Sequence, residues 1–220
     1  MRVEDAVLFP RCKKVLFSAV ISNILDTLGY LHQVLPQRIA PLRPDMVCVG
    51  RAMTVQSAGY TGAPNKPYGK MLEAVDSLTE NEVYICAGSC PDYAQWGGLL
   101  SNRAVRLGAA GAVLNGFSRD TNEILALSFP VFSSGRYARD QGVRGQVIDY
   151  RCPITFENGA VVRPGDFVFA DLDGVVAIPQ AVEAEVLERA FARCTDENRV
   201  RTAILEGMSA AEAYKMFGVM

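Results

Sequence analysis

The stretch GGLLSNRAVRLGAAGAVLNGFSRD, residues 97–120, contains the features that decide the fold. Residues 99–107 follow two glycines and have the composition of a helix, which Gly108 ends. Residues 112–115 (AVLN) are typical of a short buried strand, and a similar run (VYICA) occupies residues 83–87. A strand, a crossover helix and a second strand make a βαβ unit, so the two strands are predicted to be parallel.

Upstream of this unit, the pattern predicts one helix over residues 18–31 and a shorter one over residues 70–78. Between them, residues 46–56 (MVCVGRAMTVQ) are apolar and rich in valine, which predicts a strand interrupted at Gly50. Residues 59–69 are rich in Gly, Pro, Asn and Tyr and are predicted to form a loop.

Downstream of the unit, the chain is predicted to turn at Gly116, to form a helix from about Thr121, and then to form several short strands. The strand runs, separated by turn residues, cover residues 129–132, 146–154, 160–162 and 167–178. The last three of these runs are typical of antiparallel strands.

The tail, about residues 180–218, is predicted to be helical. Apolar residues recur there at helical spacing from Val182 to Cys194, and Ser209 with Glu212 makes a capping box for a final short helix. We therefore predict a mixed α/β fold in a single domain, residues 1–220. Its C-terminal helices would pack on the domain itself or on a neighbouring subunit.

Composition and charge exclude several classes of protein. Half of the residues are hydrophobic, and a net charge of −2 without blocks of like charge gives no reason to expect a nucleic-acid partner. Polar residues break the longest apolar stretch, residues 15–31, so no membrane span or signal peptide is expected and a cytoplasmic location is predicted. The six cysteines contain no CxxC pair and His32 is the only histidine, so reduced thiols are expected rather than a zinc site.

Two loops are expected to lie side by side at the carboxyl edge of the parallel strands, where such sheets bind ligands. The first loop ends at a helix start with backbone amides that have no partner inside the helix and that, with the helix dipole, can bind an anion. These amides belong to Gly97, Gly98, Leu99 and Leu100.

The second loop places Arg119 beside Asp120. A guanidinium can hold a carboxylate through two hydrogen bonds, and a carboxylate can bind a hard divalent cation. Both residues also have ordinary structural alternatives, because Arg119 could form a surface ion pair and Asp120 with Glu123 fits a capping box. Trp96, beside the glycines, could form a wall of the pocket or part of the core.

The sequence also resembles a known family. Residues 97–120, together with FPVFSSG (129–135), RPGDFVFADLDGVVAIP (163–179) and ENRVRTAILEGMSAAEAYKMFGV (197–219), are similar to the family that contains 4-hydroxy-4-methyl-2-oxoglutarate aldolase and the regulator of ribonuclease activity A. These motifs lie in roughly the last 125 residues, and the preceding part matches more loosely.

This resemblance implies an α/β/β swivelling-domain (RraA-like) fold in a homotrimer or homohexamer with sites near subunit boundaries. It implies that the amides of residues 97–100 hold the carboxylate of a pyruvyl group, that Arg119 binds the 2-oxo acid, and that Asp120 is a ligand of Mg²⁺ or Mn²⁺. A glutamate from a neighbouring C-terminal helix, for which Glu197 is a candidate, would contribute through water.

One position departs from the family pattern. The aldolases carry an Asp or Glu 21 residues before the arginine, and this position is Gly98 here. Because that acid orients metal-bound water, its absence argues against aldol cleavage. Binding of magnesium through Asp120 can survive, since magnesium keeps several waters. Asp92, in the preceding loop, could reach the same water.

The leading hypothesis is a metal-dependent lyase that forms pyruvate from a small 2-oxo acid, by retro-aldol cleavage of the 4-hydroxy-4-methyl-2-oxoglutarate type or by oxaloacetate decarboxylation. None of the five lysines lies in an apolar strand, so a Schiff-base aldolase is not expected. The alternative is a non-catalytic binding protein similar to the ribonuclease regulator. Gly98 favours this alternative, and the retained pair of Arg119 and Asp120 disfavours it.

Overall fold

The computed structural model describes residues 5–60, 65–88 and 92–218 of the chain. The helices in these residues are α1 (Asp5–Val15), α2 (Ser18–Thr27), α3 (Met71–Asp76), α4 (Gly98–Arg106), α5 (Thr121–Ala126), α6 (Glu183–Leu205) and α7 (Ala210–Phe217). The strands are β1 (Ala40–Pro41), β2 (Cys48–Gly59), β3 (Tyr68–Gly69), β4 (Glu82–Gly88), β5 (Ala94–Trp96), β6 (Gly111–Ser118), β7 (Val131–Arg136), β8 (Gly145–Tyr150), β9 (Ile154–Thr155), β10 (Val161–Val162), β11 (Phe167–Asp171) and β12 (Gly174–Ile178).

One mixed sheet organises the molecule, with the main order β1-β7-β6-β4-β2-β11-β12. Its centre is parallel, because β2 pairs with β4, β4 with β6, and β6 with β7 in that sense. The β11–β12 hairpin and β8 add antiparallel neighbours on β2. The predicted α/β fold with a parallel unit, antiparallel strands and C-terminal helices is confirmed.

Both faces of this sheet are covered, and the alternation of side chains along β11 shows how. Val168 and Ala170 are buried in the larger core, whereas Phe167 and Phe169 point to the other face and are buried with α1, α2 and α6. Because side chains of a strand alternate between the two faces, one apolar strand serves both cores. The predicted apolar stripe of α6 is buried in the second core.

A buried ion-pair network joins α1 and α6 to the sheet. Arg51 of β2 lies 2.6 Å from Asp5 Oδ1 and 2.5 Å from Glu183 Oε2, and all three side chains are at most 13% exposed. Buried charges are tolerated only when paired in this way.

Several local predictions were wrong for identifiable reasons. Gly50 does not interrupt β2, which runs from Cys48 to Gly59. Its role is to permit close strand packing, because a side chain there would overlap the carbonyl oxygen of Asn81 and the side chain of Val83. Gly116 does not turn the chain, since β6 continues to Ser118 with a shift in its pairing with β7. Helix α1 and strand β5 were not predicted.

Other local predictions are confirmed. Ser209 and Glu212 form the capping box of α7. The cysteines in the described residues have free thiols: Cys12, Cys48, Cys86, Cys152 and Cys194. Cys90 lies outside the described residues, as does part of the predicted loop (61–64). No helix in the part of the chain that the structure describes has the length and apolar character needed to cross a bilayer.

Candidate functional site

The two loops predicted to meet do meet, because β5 and β6 are parallel neighbours that end side by side. Trp96 pairs with Ser118 at the end of these strands, and the Arg119 amide donates to the Trp96 carbonyl at 2.9 Å. The chain then continues from β5 through Gly97 into α4, and from β6 through Asp120 into α5. The helix that opens this site therefore follows β5, not β4 as the sequence pattern suggested.

Asp120 contacts the start of the neighbouring helix rather than capping its own. Its Oδ2 accepts a hydrogen bond from the Gly98 amide at 3.1 Å, and the side chain makes no capping bond to α5, so the capping-box alternative was wrong. A Cβ at Gly97 would lie 2.6 Å from the same oxygen, so a side chain there would displace the carboxylate from this position. The backbone of Asp120 is left-handed (φ 55°, ψ 37°), a conformation that is uncommon outside glycine and enriched at functional sites.

Arg119 forms an ion pair with a partner, Asp140, that the sequence did not identify. Its Nη1 lies 2.9 Å from Asp140 Oδ1, and its Nε lies 3.7 Å from Asp120 Oδ2. Asp140 is itself fixed, because its Oδ2 accepts from the Gly142 amide at 2.7 Å and from the Tyr68 hydroxyl at 3.2 Å. The ion-pair alternative for Arg119 is thus correct, yet the guanidinium also faces a cavity.

A cavity of about 200 Å³ lies between these loops. This is smaller than the roughly 300–1,000 Å³ of drug-sized pockets, and it suits a small acid. The residues that line it are Tyr68, Met71, Leu72, Ala94, Gln95, Trp96, Gly97, Leu99, Leu100, Arg119, Asp120, Asp140 and Gln141.

Trp96 both closes the cavity and belongs to the core. Its ring is 1% exposed and packs against Tyr84, at 4.7 Å between centroids, and against Phe129. Its Nε1 donates to the Ser101 hydroxyl at 2.7 Å, which ties β5 to α4. The two readings of Trp96 offered by the sequence are therefore compatible.

Comparison with known proteins places the chain in a family. Residues 18–177 match the family model described as RraA-like: Aldolase/RraA. The chain belongs to this family.

Two RraA-like relatives and one solved structure show how far the similarity extends. The chain is 32% identical over 199 residues to Protein DlpA of Legionella pneumophila, covering 89% of this chain but only 31% of DlpA. It is 32% identical over 196 residues to "Putative 4-hydroxy-4-methyl-2-oxoglutarate aldolase" of Halalkalibacterium halodurans, covering 88% and 87% of the two chains. The crystal structure of an uncharacterized protein from Pseudomonas syringae pv. tomato str. DC3000 superposes with a TM-score of 0.86 at 29% identity, covering 99% and 96%.

Gly98, the position at which the sequence departs from the family pattern, lies against the side chain of Glu123. A Cβ at this position would overlap the carboxylate of Glu123, which accepts a hydrogen bond from Asn102 Nδ2 at 2.7 Å. The space beside the first turn of α4 is therefore filled by a carboxylate from α5. The sequence contained both residues but no signal that would bring them together.

Asp92 and Glu197, the two acids expected to act through water, are not among the residues of this chain that line the cavity. Asp92 forms an ion pair with Arg139 and is 73% exposed. Glu197 accepts from Arg193 Nε at 3.1 Å and lies in a groove between α2 and α6. Tyr68, in the region predicted to be a loop (residues 59–69), lines the cavity.

Among the described residues that line the cavity, the carboxylates are those of Asp120 and Asp140. No group of three or more His, Cys, Asp or Glu side chains in residues 5–60, 65–88 and 92–218 is arranged to hold a metal. Asp120 offers one carboxylate with a side chain that is 43% exposed at the cavity. Magnesium is commonly held by one or two carboxylates together with waters and substrate oxygens, so Asp120 is compatible with such an ion.

Tyr68 serves as a hydrogen-bond donor at this site. Burial, together with the negative charge of Asp140, raises the pKa of the Tyr68 phenol above its ordinary value. The hydroxyl donates to Asp140 Oδ2 at 3.2 Å, and the raised pKa extends the pH range over which it keeps that proton.

Proposed function

We propose that this protein is a lyase that forms pyruvate from a small 2-oxo acid. The observation that carries the proposal is the convergence of Arg119, Asp120 and the first turn of α4 on one small cavity. The aldolase name of the Halalkalibacterium relative, which this chain matches over most of both lengths, supports the same class of reaction.

The carboxylate of the substrate would bind at the start of α4. Asp120 already occupies the Gly98 amide. The amides of Leu99 and Leu100 have no acceptor within the described residues, and they lie where the helix dipole favours an anion. Arg119 would bind the carboxylate or the 2-oxo group from the adjacent loop, and its pairing with Asp140 holds the guanidinium in place.

Asp120 would hold Mg²⁺ or Mn²⁺, which would supply Lewis-acid stabilisation of the negative charge on the 2-oxo oxygen. Arg119 would stabilise the same charge from the protein side. In retro-aldol cleavage the C4 hydroxyl gives its proton to water and C4 becomes a carbonyl carbon as the C3–C4 bond breaks. The electron pair of that bond forms the enolate of pyruvate, which then takes a proton from water at C3. Decarboxylation of oxaloacetate would give the same enolate with release of CO₂.

The test is pyruvate release from a panel of 2-oxo acids, followed with lactate dehydrogenase and NADH. The panel contains 4-hydroxy-4-methyl-2-oxoglutarate, oxaloacetate and 4-hydroxy-2-oxopentanoate, each assayed with Mg²⁺, with Mn²⁺ and with EDTA. Arg119→Ala is expected to lower kcat/KM by about 100-fold or more, as for the loss of a group that stabilises a developing oxyanion. Arg189→Ala, at a half-exposed arginine of α6, is the matched control and should leave the rate unchanged.

Binding of the cation can be measured separately from turnover. Titration of Mn²⁺ by electron paramagnetic resonance should show at least tenfold weaker binding to Asp120→Asn than to the wild type. If no substrate releases pyruvate above the rate of Arg119→Ala, the proposed lyase is wrong.

A regulatory binding protein is the second candidate, and Gly98 favours it because the position lacks the acid found in the aldolases. The family description names both aldolase and RraA. Inhibition of a ribonuclease by the purified protein, unchanged in Arg119→Ala, together with absence of pyruvate release would favour this function. We also propose a homotrimer or homohexamer, to be measured by light scattering during gel filtration.

A further inference from the structure

We propose that Gln141, together with Gln95, binds a hydroxyl group on C4 of the substrate and so makes this site selective for 4-hydroxy-2-oxo acids. The proposal rests on the proposed function, in that the 2-oxo acid group binds at Arg119 and the start of α4. It adds two specificity-determining residues and the substituent that they recognise.

Unpartnered polar atoms are concentrated at the cavity. In residues 5–60, 65–88 and 92–218, four buried side-chain nitrogen or oxygen atoms have no hydrogen-bond partner. Three of the four are Gln95 Oε1 and both amide atoms of Gln141, and both of these residues line the cavity. A buried amide without a partner destabilises a fold, so a pair of them at one small cavity indicates a ligand that supplies the partners.

A neighbouring subunit cannot supply these partners. Gln95 and Gln141 are each 2% exposed within a single chain, so a protein surface that docks from outside does not reach their side chains. The cavity that they line is the space from which a partner can come. Because the terminal torsion of a glutamine side chain is broad, the amide atoms can turn toward a ligand there without a change in the backbone.

The rest of each glutamine is held in place. The Gln141 carbonyl accepts hydrogen bonds from the backbone amides of Arg144 at 2.7 Å and Gly145 at 2.9 Å. Gln95 Nε2 donates to the Ser57 hydroxyl at 2.8 Å. The positions of both residues are therefore fixed by the fold, and the atoms left over are those that a ligand would bind.

The two glutamines lie next to the residues expected to bind the 2-oxo acid group. Ala94 and Asp140 form a parallel bridge, and Gln95 and Gln141 directly follow them in the chain. Asp140 is the ion-pair partner of Arg119. C4 of a 2-oxo acid is only two bonds from the 2-oxo carbon, and the cavity measures about 200 Å³. A substrate held at Arg119 by its 2-oxo acid group would therefore present C4 to this wall.

The kind of atom that fits follows from the hydrogen-bonding capacity of the amides. Gln141 Nε2 donates, whereas Gln141 Oε1 and Gln95 Oε1 accept. A hydroxyl group can accept from the nitrogen and donate to either oxygen, but a carboxylate or ketone oxygen only accepts and would leave both Oε1 atoms unpartnered. An amide does not titrate, so the glutamines would orient the C4 hydroxyl while its proton passes to water in the retro-aldol step.

Binding tests the proposal without requiring turnover. 4-Hydroxy-2-oxopentanoate and 2-oxopentanoate differ only in the C4 hydroxyl. Isothermal titration of the full-length protein in EDTA, which removes the cation that the proposed cleavage requires, should give a Kd about tenfold lower for the hydroxylated acid. Equal binding, tighter binding of 2-oxopentanoate, or no binding of either acid would overturn the proposal.

Gln141→Met is the variant test, because methionine is unbranched and flexible like glutamine but has no amide. The tenfold preference for the hydroxylated acid should fall to less than about twofold. Gln180→Met is the matched control, since the Gln180 amide donates to the Pro164 carbonyl at 3.1 Å and the residue does not line the cavity. Loss of the preference in both variants, or its retention in Gln141→Met, would overturn the proposal.

Stability of the unliganded protein provides a second measurement on the same variant. Gln141→Met should raise the urea midpoint, because it removes two buried amide atoms that have no partner among the described residues. A lower midpoint together with an unchanged preference for the hydroxylated acid would mean that a buried water satisfies the amide, and would overturn the proposal.

Turnover separates this proposal from the proposed lyase. Oxaloacetate has no hydroxyl on C4, so Gln141→Met should lower kcat/KM about tenfold for 4-hydroxy-2-oxopentanoate and less than about twofold for oxaloacetate. Equal losses for both substrates would support the lyase and overturn the role of Gln141. Absence of pyruvate from either substrate, with the binding preference present in the wild type and lost in Gln141→Met, would overturn the lyase and support recognition of the hydroxyl.

Discussion

Replacing Gly98 with alanine tests whether the Glu123 carboxylate occupies the space beside the first turn of α4. The added Cβ would overlap that carboxylate, which is the flexible end of a side chain and can move. Moving it breaks the 2.7 Å hydrogen bond from Asn102, at a cost of about 1 kcal/mol. Alanine is preferred over glycine in a helix by up to about 1 kcal/mol, which offsets this cost.

The expected free energies follow from these two effects. Gly98→Ala alone should change the free energy of unfolding by no more than about 0.5 kcal/mol, because the cost and the gain nearly cancel. In a Glu123→Ala background the overlap is absent, so the same substitution should stabilise the protein by about 0.5–1 kcal/mol. The interaction energy between the two sites is then about 1 kcal/mol, in the range found for residues in contact.

The assay is urea unfolding followed by circular dichroism, with all four proteins of the cycle at one concentration so that any association between chains affects them equally. Glu185→Ala, at an exposed first-turn glutamate of α6, is the matched control background. In that background Gly98→Ala should behave as it does in the wild type. Additive effects of Gly98→Ala and Glu123→Ala, within about 0.3 kcal/mol, would refute the proposed contact.

Three further predictions concern other parts of the molecule. Arg51→Ala should lower the free energy of unfolding by about 3–5 kcal/mol, since it leaves two buried carboxylates unpaired, whereas Arg189→Ala should change it by less than about 0.5 kcal/mol; equal effects in urea unfolding would contradict this. Burial raises the pKa of the Cys86 thiol to about 12, so mass spectrometry should find it unalkylated in the folded protein at pH 8 and alkylated after unfolding. Tyr68→Phe removes the hydrogen bond to Asp140 and should cost about 1 kcal/mol at pH 7. Because the pKa of Tyr68 is raised in the folded state, this contribution is present at neutral pH and is lost as the pH rises through that raised value. The difference between the two proteins should therefore shrink in strongly alkaline buffer.

Local sequence determined most of the elements around the site. The apolar runs at residues 83–87 and 112–115 and the two glycines before α4 predicted a parallel unit with a helix start at its carboxyl edge, and β4, β6 and α4 form there. These signals are readable because hydrophobic periodicity and turn chemistry act between residues close in the chain. The positions of Arg119 and Asp120 beside that helix start followed from the same rule for parallel strands.

Tertiary structure decided which partners these residues contact. Asp140 lies in a segment without a clear pattern, yet sheet pairing brings it to Arg119. The left-handed backbone of Asp120 turns its carboxylate toward Gly98 instead of its own helix, and Glu123 fills the space that Gly98 leaves. Contacts between residues about 20 positions apart depend on strand order and on single backbone dihedral angles, which no local pattern of residues encodes. The residue types of the site could therefore be read from the sequence, whereas the contacts of Arg119 with Asp120 and Asp140 arose only from folding.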